Sequence, residues 1–268
     1  MNPNIICALL LSSLSLSLIP SSTYAFEESP ALPERSRPGD EDRQRALPEH
    51  FSAIGGPAWA VETSVAPGNT GALIAASQAG RLDQVKALLA AGALPNGADE
   101  LGQRPLLVAV ASGHTEITRL LLQRGASANV KGPQGRTPLG MAAASGHPRI
   151  VRLLLRADAD INARSDNRAT ALHEAVRFNH PDIVRQLLAA WPDAKHYDRE
   201  GLHPLALAAV HGRLSCLQAL LDAGIAADLP DRSGLTALYW ARRHNQSLAA
   251  SLLVEHGASR DAWPIVVD

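Results

Sequence analysis

Histidine, cysteine and acidic side chains are the groups that hold metals and move protons, and this chain carries ten histidines and two cysteines. Their spacing assembles no reaction centre. His173-Glu174 opens like the His-Glu-x-x-His run that sets two zinc ligands one helical turn apart, but Arg177 stands where the second histidine is needed. No pair of cysteines has metal-ligand spacing. Cys216 takes a place that a recurring pattern gives elsewhere to Ile117, Ile150 and Ile183, so it reads as a small buried hydrophobe rather than a reactive thiol. Nucleophile elbows, phosphate loops and dinucleotide fingerprints are absent from the sequence. Asn245-Gln246-Ser247 fits a glycosylation sequon and is read as chance. A net charge of -1 and 4% aromatic residues argue against a nucleic-acid binder, which needs cationic surface and stacking platforms. The expectation is a protein with no catalytic residues, no cofactor and no metal.

The elements that carry these residues repeat with a period of 33. Leu73, Leu106, Leu139, Leu172, Leu205 and Leu238 are evenly spaced, and each is followed three residues later by alanine, from Ala76 to Ala241. Next comes a Gly/Asn column: Gly80, Gly113, Gly146, Asn179, Gly212 and Asn245. An aliphatic pair closes each unit, from Leu88-Leu89 to Leu253-Val254. Pro105, Pro138 and Pro204 precede three of the column leucines and suit a first helical turn. The alanine column predicts helices so close that only a methyl group fits between them. The Gly/Asn column predicts a left-handed residue between two helices. A second glycine column (Gly92, Gly125, Gly224, Gly257) ends the second helix, and a third (Asn69, Gly102, Gly135, Gly201, Gly234) marks a turn toward the next unit. Each unit therefore reads as helix, turn, helix and a hairpin-like finger, and the whole as an all-α solenoid.

Thr137-Pro138-Leu139 with Ala142-Ala143 and Gly146-His147, and Leu172-His173 with His180, resemble the ankyrin-repeat pattern. The resemblance spans residues 66–263 as six units. It implies helices stacked in two rows, with fingers projecting to give a concave face that binds a protein partner. It also implies structural roles for the histidines: His114, His147 and His180 as hydrogen-bonded bridges between loops, and His173 likewise. The departures fall mainly in the fourth unit, with Trp191-Pro192 in place of Gly-Ala and Arg168 in a turn-glycine position; the third has Asp158 at the helix-ending glycine. Arg168 must take a positive φ or reshape its turn.

Outside the repeats the composition changes. Residues 1–25 carry no charged side chain, and the run from Ile5 to Ile19, about 15 residues, is shorter than the roughly 20 that span a bilayer. With small residues at Thr23 and Ala25, this reads as an export signal cleaved after Ala25, giving a periplasmic or secreted protein without a membrane span. Residues 26–50 read as a flexible linker, 51–65 as a candidate N-terminal cap bearing Phe51, Ile54 and Trp59, and 264–268 as a C-terminal tail; Trp263, Ile265 and Val266 would cap the last unit. Cleavage would leave Cys216 alone, so the fold must stand without a disulfide.

The positions outside the framework columns differ between the two halves. Units four to six offer Arg168, Arg177, Phe178, Arg199, Leu202, Arg232, Leu235 and Arg243, a mixture favoured at interfaces, where the first three units carry small residues. The competing reading is a solvated face whose arginines are answered by Asp166, Asp198 and Asp231. The expected partner is a protein with an acidic patch, bound by a monomeric scaffold. Similarity to small exported bacterial ankyrin-repeat proteins implies a helper in oxidative-stress defence. The alternative is an immunity or inhibitor protein for a toxin or enzyme, and the contrasting class is an enzyme or metal carrier using the histidines.

Overall fold

Residues 68–190 and 192–259 are described by the computed structural model of the chain. Among them are twelve α-helices in consecutive pairs. The first members are α1 (Gly68–Gln78), α3 (Pro105–Ala111), α5 (Pro138–Ala144), α7 (Ala171–Arg177), α9 (Pro204–Val210) and α11 (Ala237–Arg243). The second members are α2 (Leu82–Ala90), α4 (Thr115–Gln123), α6 (Pro148–Arg156), α8 (Pro181–Leu188), α10 (Leu214–Asp222) and α12 (Ser247–Glu255). Each helix packs on its partner and on its counterpart in the next pair, so the first members form one row and the second members another. This is an all-α repeat solenoid.

Burial follows position in the stack. A first-row helix is enclosed on several sides, and α9 is buried from Pro204 to Ala209. A second-row helix hides a single stripe: in α6, Ile150, Val151 and Leu154 are buried while Arg149, Arg152 and Arg156 are exposed. The alanine column lies between first-row helices, with Ala142, Ala175, Ala208 and Ala241 all fully buried. Thr137 and Thr236 cap α5 and α11 by accepting from the amides of Gly140 and Tyr239.

The glycine-bearing turns combine two constraints. The Gly/Asn column has positive φ throughout, including Asn179 at 61° and Asn245 at 56°. At Gly80, Gly113 and Gly146 a β-carbon would also meet the ring of His114, His147 or His180 in the next unit at 2.6–2.8 Å. Asn179 faces a different neighbour, since the residue in the histidine column of the following unit is Arg213. Arg168 adopts φ 60° and Asp158 φ 55°, so both hold the left-handed turn rather than reshape it. Asn69 departs from its expected turn: α1 begins at Gly68 and places Asn69 in its first helical turn.

Fingers lie between the pairs. Each is closed by a backbone bond: Asp99 to Gln103, Gly132 to Arg136, Ser165 to Ala169, Asp198 to Leu202 and Asp231 to Leu235, donor named first. Neighbouring fingers are joined by the amides of Asp166, Arg199 and Arg232, which donate to the carbonyls of Gln134, Asn167 and Gly201. The proposed segments 1–25, 26–50, 51–65 and 264–268, and the residues Trp191, Trp263, Ile265 and Val266, lie outside the described residues. Among the described residues no helix is long and apolar enough to cross a membrane.

Candidate functional site

Two of the three column histidines, His114 and His180, act as bridges, whereas the His147 ring packs against Gly113 with no hydrogen bond among the described residues. His114 Nε2 and His180 Nε2 lie 3.0 and 3.1 Å from the carbonyls of Gln78 and Ala144, one unit back. Arg213, in the same column, donates to the carbonyl of Arg177 in the equivalent way. His173 is buried, with Nδ1 3.3 Å from the Thr170 amide and 2.9 Å from its hydroxyl, and Nε2 3.2 Å from the Leu202 carbonyl. A carbonyl only accepts and an amide only donates, so the ring is neutral with its proton on Nε2. It ties the start of α7 to the next finger. His203 replaces the capping threonine of its column: Nδ1 accepts from the Ala206 amide, and Nε2 reaches the Leu229 carbonyl of the following finger at 2.9 Å.

Burial lowers the pKa of His173 to about 4, against weaker opposing effects from Asp198 and the Leu202 carbonyl; burial likewise lowers that of His203. The folded protein therefore declines a proton that the unfolded chain accepts between pH 6.5 and 4. Stability is complete above the unfolded value and is lost as pH falls through that window. His173 is expected to account for a loss of about 2 kcal/mol between pH 7.5 and 5, with His203 adding in the same direction. Urea titrations of wild type and His173→Gln at the two pH values measure this, and the variant should show the smaller loss. Glu174, whose carboxyl burial raises, contributes the opposite slope to both proteins. Equal pH slopes would mean that the ring ionises within the fold.

Cys216 is buried in the apolar column, its Sγ 3.6 Å from Asn179 Oδ1, and burial pushes the thiol up to about 11. A thiol held protonated in this way is a weak nucleophile. Among the described residues no cluster of three or more His, Cys, Asp or Glu side chains is placed to hold a metal ion.

The predicted partner-binding residues separate into two groups. Leu202 is buried, with 5% of its surface exposed, and belongs to the core. Arg177 is half-buried and donates to Asp198 Oδ2 at 3.1 Å. Arg168, Arg199, Arg232 and Arg243 are exposed, Phe178 is 52% exposed and Leu235 is half-buried. The inter-finger bonds of Arg199 and Arg232 bring the last three fingertips side by side. Phe178 shares its column with His211 and His244, so aromatic rings run along the first-row edge beside Arg177 and Arg243.

Two of the three aspartates that would answer these arginines are held in their own turns, while Asp166 is exposed. Asp198 Oδ1 accepts from the amides of Glu200 and Leu202, and Asp231 Oδ1 from those of Ser233 and Leu235. Asp231 Oδ2 accepts from the Trp240 indole at 2.7 Å. Among the described residues only the Arg177–Asp198 pair matches the solvated-face reading. Burial lowers the pKa of His211, and Arg213 and Arg177 add to the effect, so this face keeps a neutral ring among its cations.

Sequence reasoning did not identify Trp240, which packs edge-on against Tyr239 at 5.5 Å and tilts toward His244 at 5.9 Å. Leu101, a fingertip residue outside the partner-binding candidates, is 74% exposed in the first half of the stack, so large exposed apolar side chains are not confined to units four to six. A further ladder runs along the loops after the second row. Asn96 and Asn129 donate to the Gly125 and Asp158 carbonyls and accept from the Ser127 and Asp160 amides, and Asn162 accepts from Asp193. Asp228 accepts from Ser259. Its signal was present as asparagine spaced by 33; at Lys195 the column has no acceptor and the ladder is interrupted.

A solenoid of helix pairs with linked fingers defines a repeat scaffold. The family model described as ankyrin repeats (3 copies) matches residues 72–165, 124–198 and 172–262, and the chain belongs to the ankyrin-repeat family. Such repeats mediate protein–protein interaction and are typically non-enzymatic scaffolds. No curated protein matches the sequence.

Proposed function

We propose that the chain is an exported scaffold that binds one protein partner, as its helper or inhibitor, through the last three fingertips and the adjoining first-row edge. The observation that carries this reading is Phe178, 52% exposed at the C-cap of α7, in the same half of the stack as the exposed Arg168, Arg199, Arg232 and Arg243, where Asp198 and Asp231 are committed to turn amides. A large apolar anchor among arginines is what interface centres are built from, and the arginines favour a partner with an acidic patch. The charge-free N-terminal segment supports action outside the cytoplasm, with the mature chain starting at Phe26.

A comparative pull-down from the envelope fraction tests the proposal. Arg199→Glu, Arg232→Glu and Arg243→Glu combined should release the partner that wild type retains, because three reversed charges slow association and change its salt dependence. The matched variant Gln78→Glu, Gln103→Glu and Gln134→Glu should retain it. Equal loss in both, or an intact Met1 on the recovered protein, would refute the respective half of the proposal.

A further inference from the structure

A second charged surface lies on the opposite row of helices. In three pairs the second helix neutralises its central cation with an acid one turn earlier: Asp83–Lys86 at 3.2 Å, Glu116–Arg119 at 3.4 Å and Asp182–Arg185 at 2.6 Å. The column reverses in α6, where Arg149 stands in the acidic position before Arg152, and Arg156 follows on the same face. No acidic residue occurs in α6, and none of these three arginines makes an ion pair or hydrogen bond among the described residues. Arg149 also sits in the first turn, where the helix dipole favours an acid. Local stability thus argues against the arrangement at two points. The three side chains border a groove of about 710 Å³ between α4 and α6, whose lining also includes the half-buried Leu82 and Leu153.

We infer that this groove is a second docking surface, separate from the fingertips, and that its occupant is an acidic polypeptide segment of a partner protein. Charge complementarity carries the assignment. The arginines follow one another at i, i+3 and i+7, steps of about 4.5 and 6 Å along the helix axis. Alternate carboxylates of an extended chain fall about 7 Å apart, close enough for long arginine side chains to meet them. Leu82 and Leu153 in the lining offer apolar surface to the intervening hydrophobic side chains, which an oligonucleotide does not have.

Fluorescence anisotropy of the full chain with a labelled peptide of alternating glutamate and leucine provides the test. Arg149→Glu restores the acid that the neighbouring units carry, so it should fold with an unchanged or higher melting temperature while weakening the peptide about tenfold. Arg152→Gln with Arg156→Gln should weaken it comparably without reversing charge. Gln103→Glu with Gln134→Glu, on the other face, should bind as wild type does. The inference fails if Arg149→Glu binds normally, if the other-face variant loses as much, or if millimolar inorganic phosphate displaces the peptide. It also fails if a single-stranded oligonucleotide of equal charge binds as tightly.

Discussion

Asp198→Ala is expected to destabilise the fold by about 3 kcal/mol, the largest effect of any single polar substitution considered for this chain. The carboxylate is 1% exposed and makes three bonds: Oδ1 to the amides of Glu200 and Leu202 at 2.9 and 3.1 Å, and Oδ2 to the Arg177 guanidinium at 3.1 Å. Alanine removes every acceptor at once. Two amides at a buried turn lose their partner, and a half-buried guanidinium loses its counter-charge. The Leu202 carbonyl, which receives His173, sits on the same finger, so the loosened turn should also disturb the start of α7. Asp198→Asn keeps one oxygen for the amides and should cost less. Asp99→Ala removes the same turn bonds in a more exposed finger, with no arginine attached, and should cost about 1 kcal/mol. Urea unfolding followed by circular dichroism orders the three variants; a midpoint for Asp198→Ala no lower than that of Asp99→Ala would remove the central role assigned to this carboxylate.

Overpacking the alanine column should come next in size. Ala142 and Ala175 are fully buried between α5, α7 and α9, in slots that hold a methyl group. Leucine brings three further carbons with no space to receive them, and each substitution is expected to cost about 1–3 kcal/mol as side chains leave their rotamers or the helices separate. Ala144 lies on α5 as well, but partly exposed in the column of Arg177. Ala144→Leu is therefore the control that keeps the same chemistry and changes only the packing. Urea midpoints for Ala142→Leu and Ala175→Leu equal to wild type would show that the first-row helices are not in close contact there.

Much of the scaffold was legible in the residues because each repeat encodes its own local geometry. Leucine at a fixed spacing marks the buried side of a first helix, alanine marks the close approach, and Gly or Asn marks the left-handed turn. Those preferences act within a few residues and appear as columns. The surface was harder to read. Leu202 and Leu235 occupy the same column, yet one is buried and the other half-exposed. Arg177 and Arg243 also share a column, but Arg177 reaches a free carboxylate oxygen on Asp198, whereas the corresponding oxygen of Asp231 is taken by Trp240. The asparagine ladder was in plain view at its spacing of 33 and went unread, because nothing local requires asparagine at those loop positions.

The residues by themselves determined the period, the helix pairs and the turn chemistry, since these depend on backbone preference and on apolar patterning over short stretches. Only the tertiary structure decided which polar groups are structural. Arg177 meets Asp198 across 21 residues, His173 meets the Leu202 carbonyl across 29, and His114 meets the Gln78 carbonyl across 36. Each of these bonds exists because stacking brings one unit against the next and removes the water that would otherwise satisfy the same groups. The same stacking leaves Phe178 exposed and sets the arginines of α6 along an open groove.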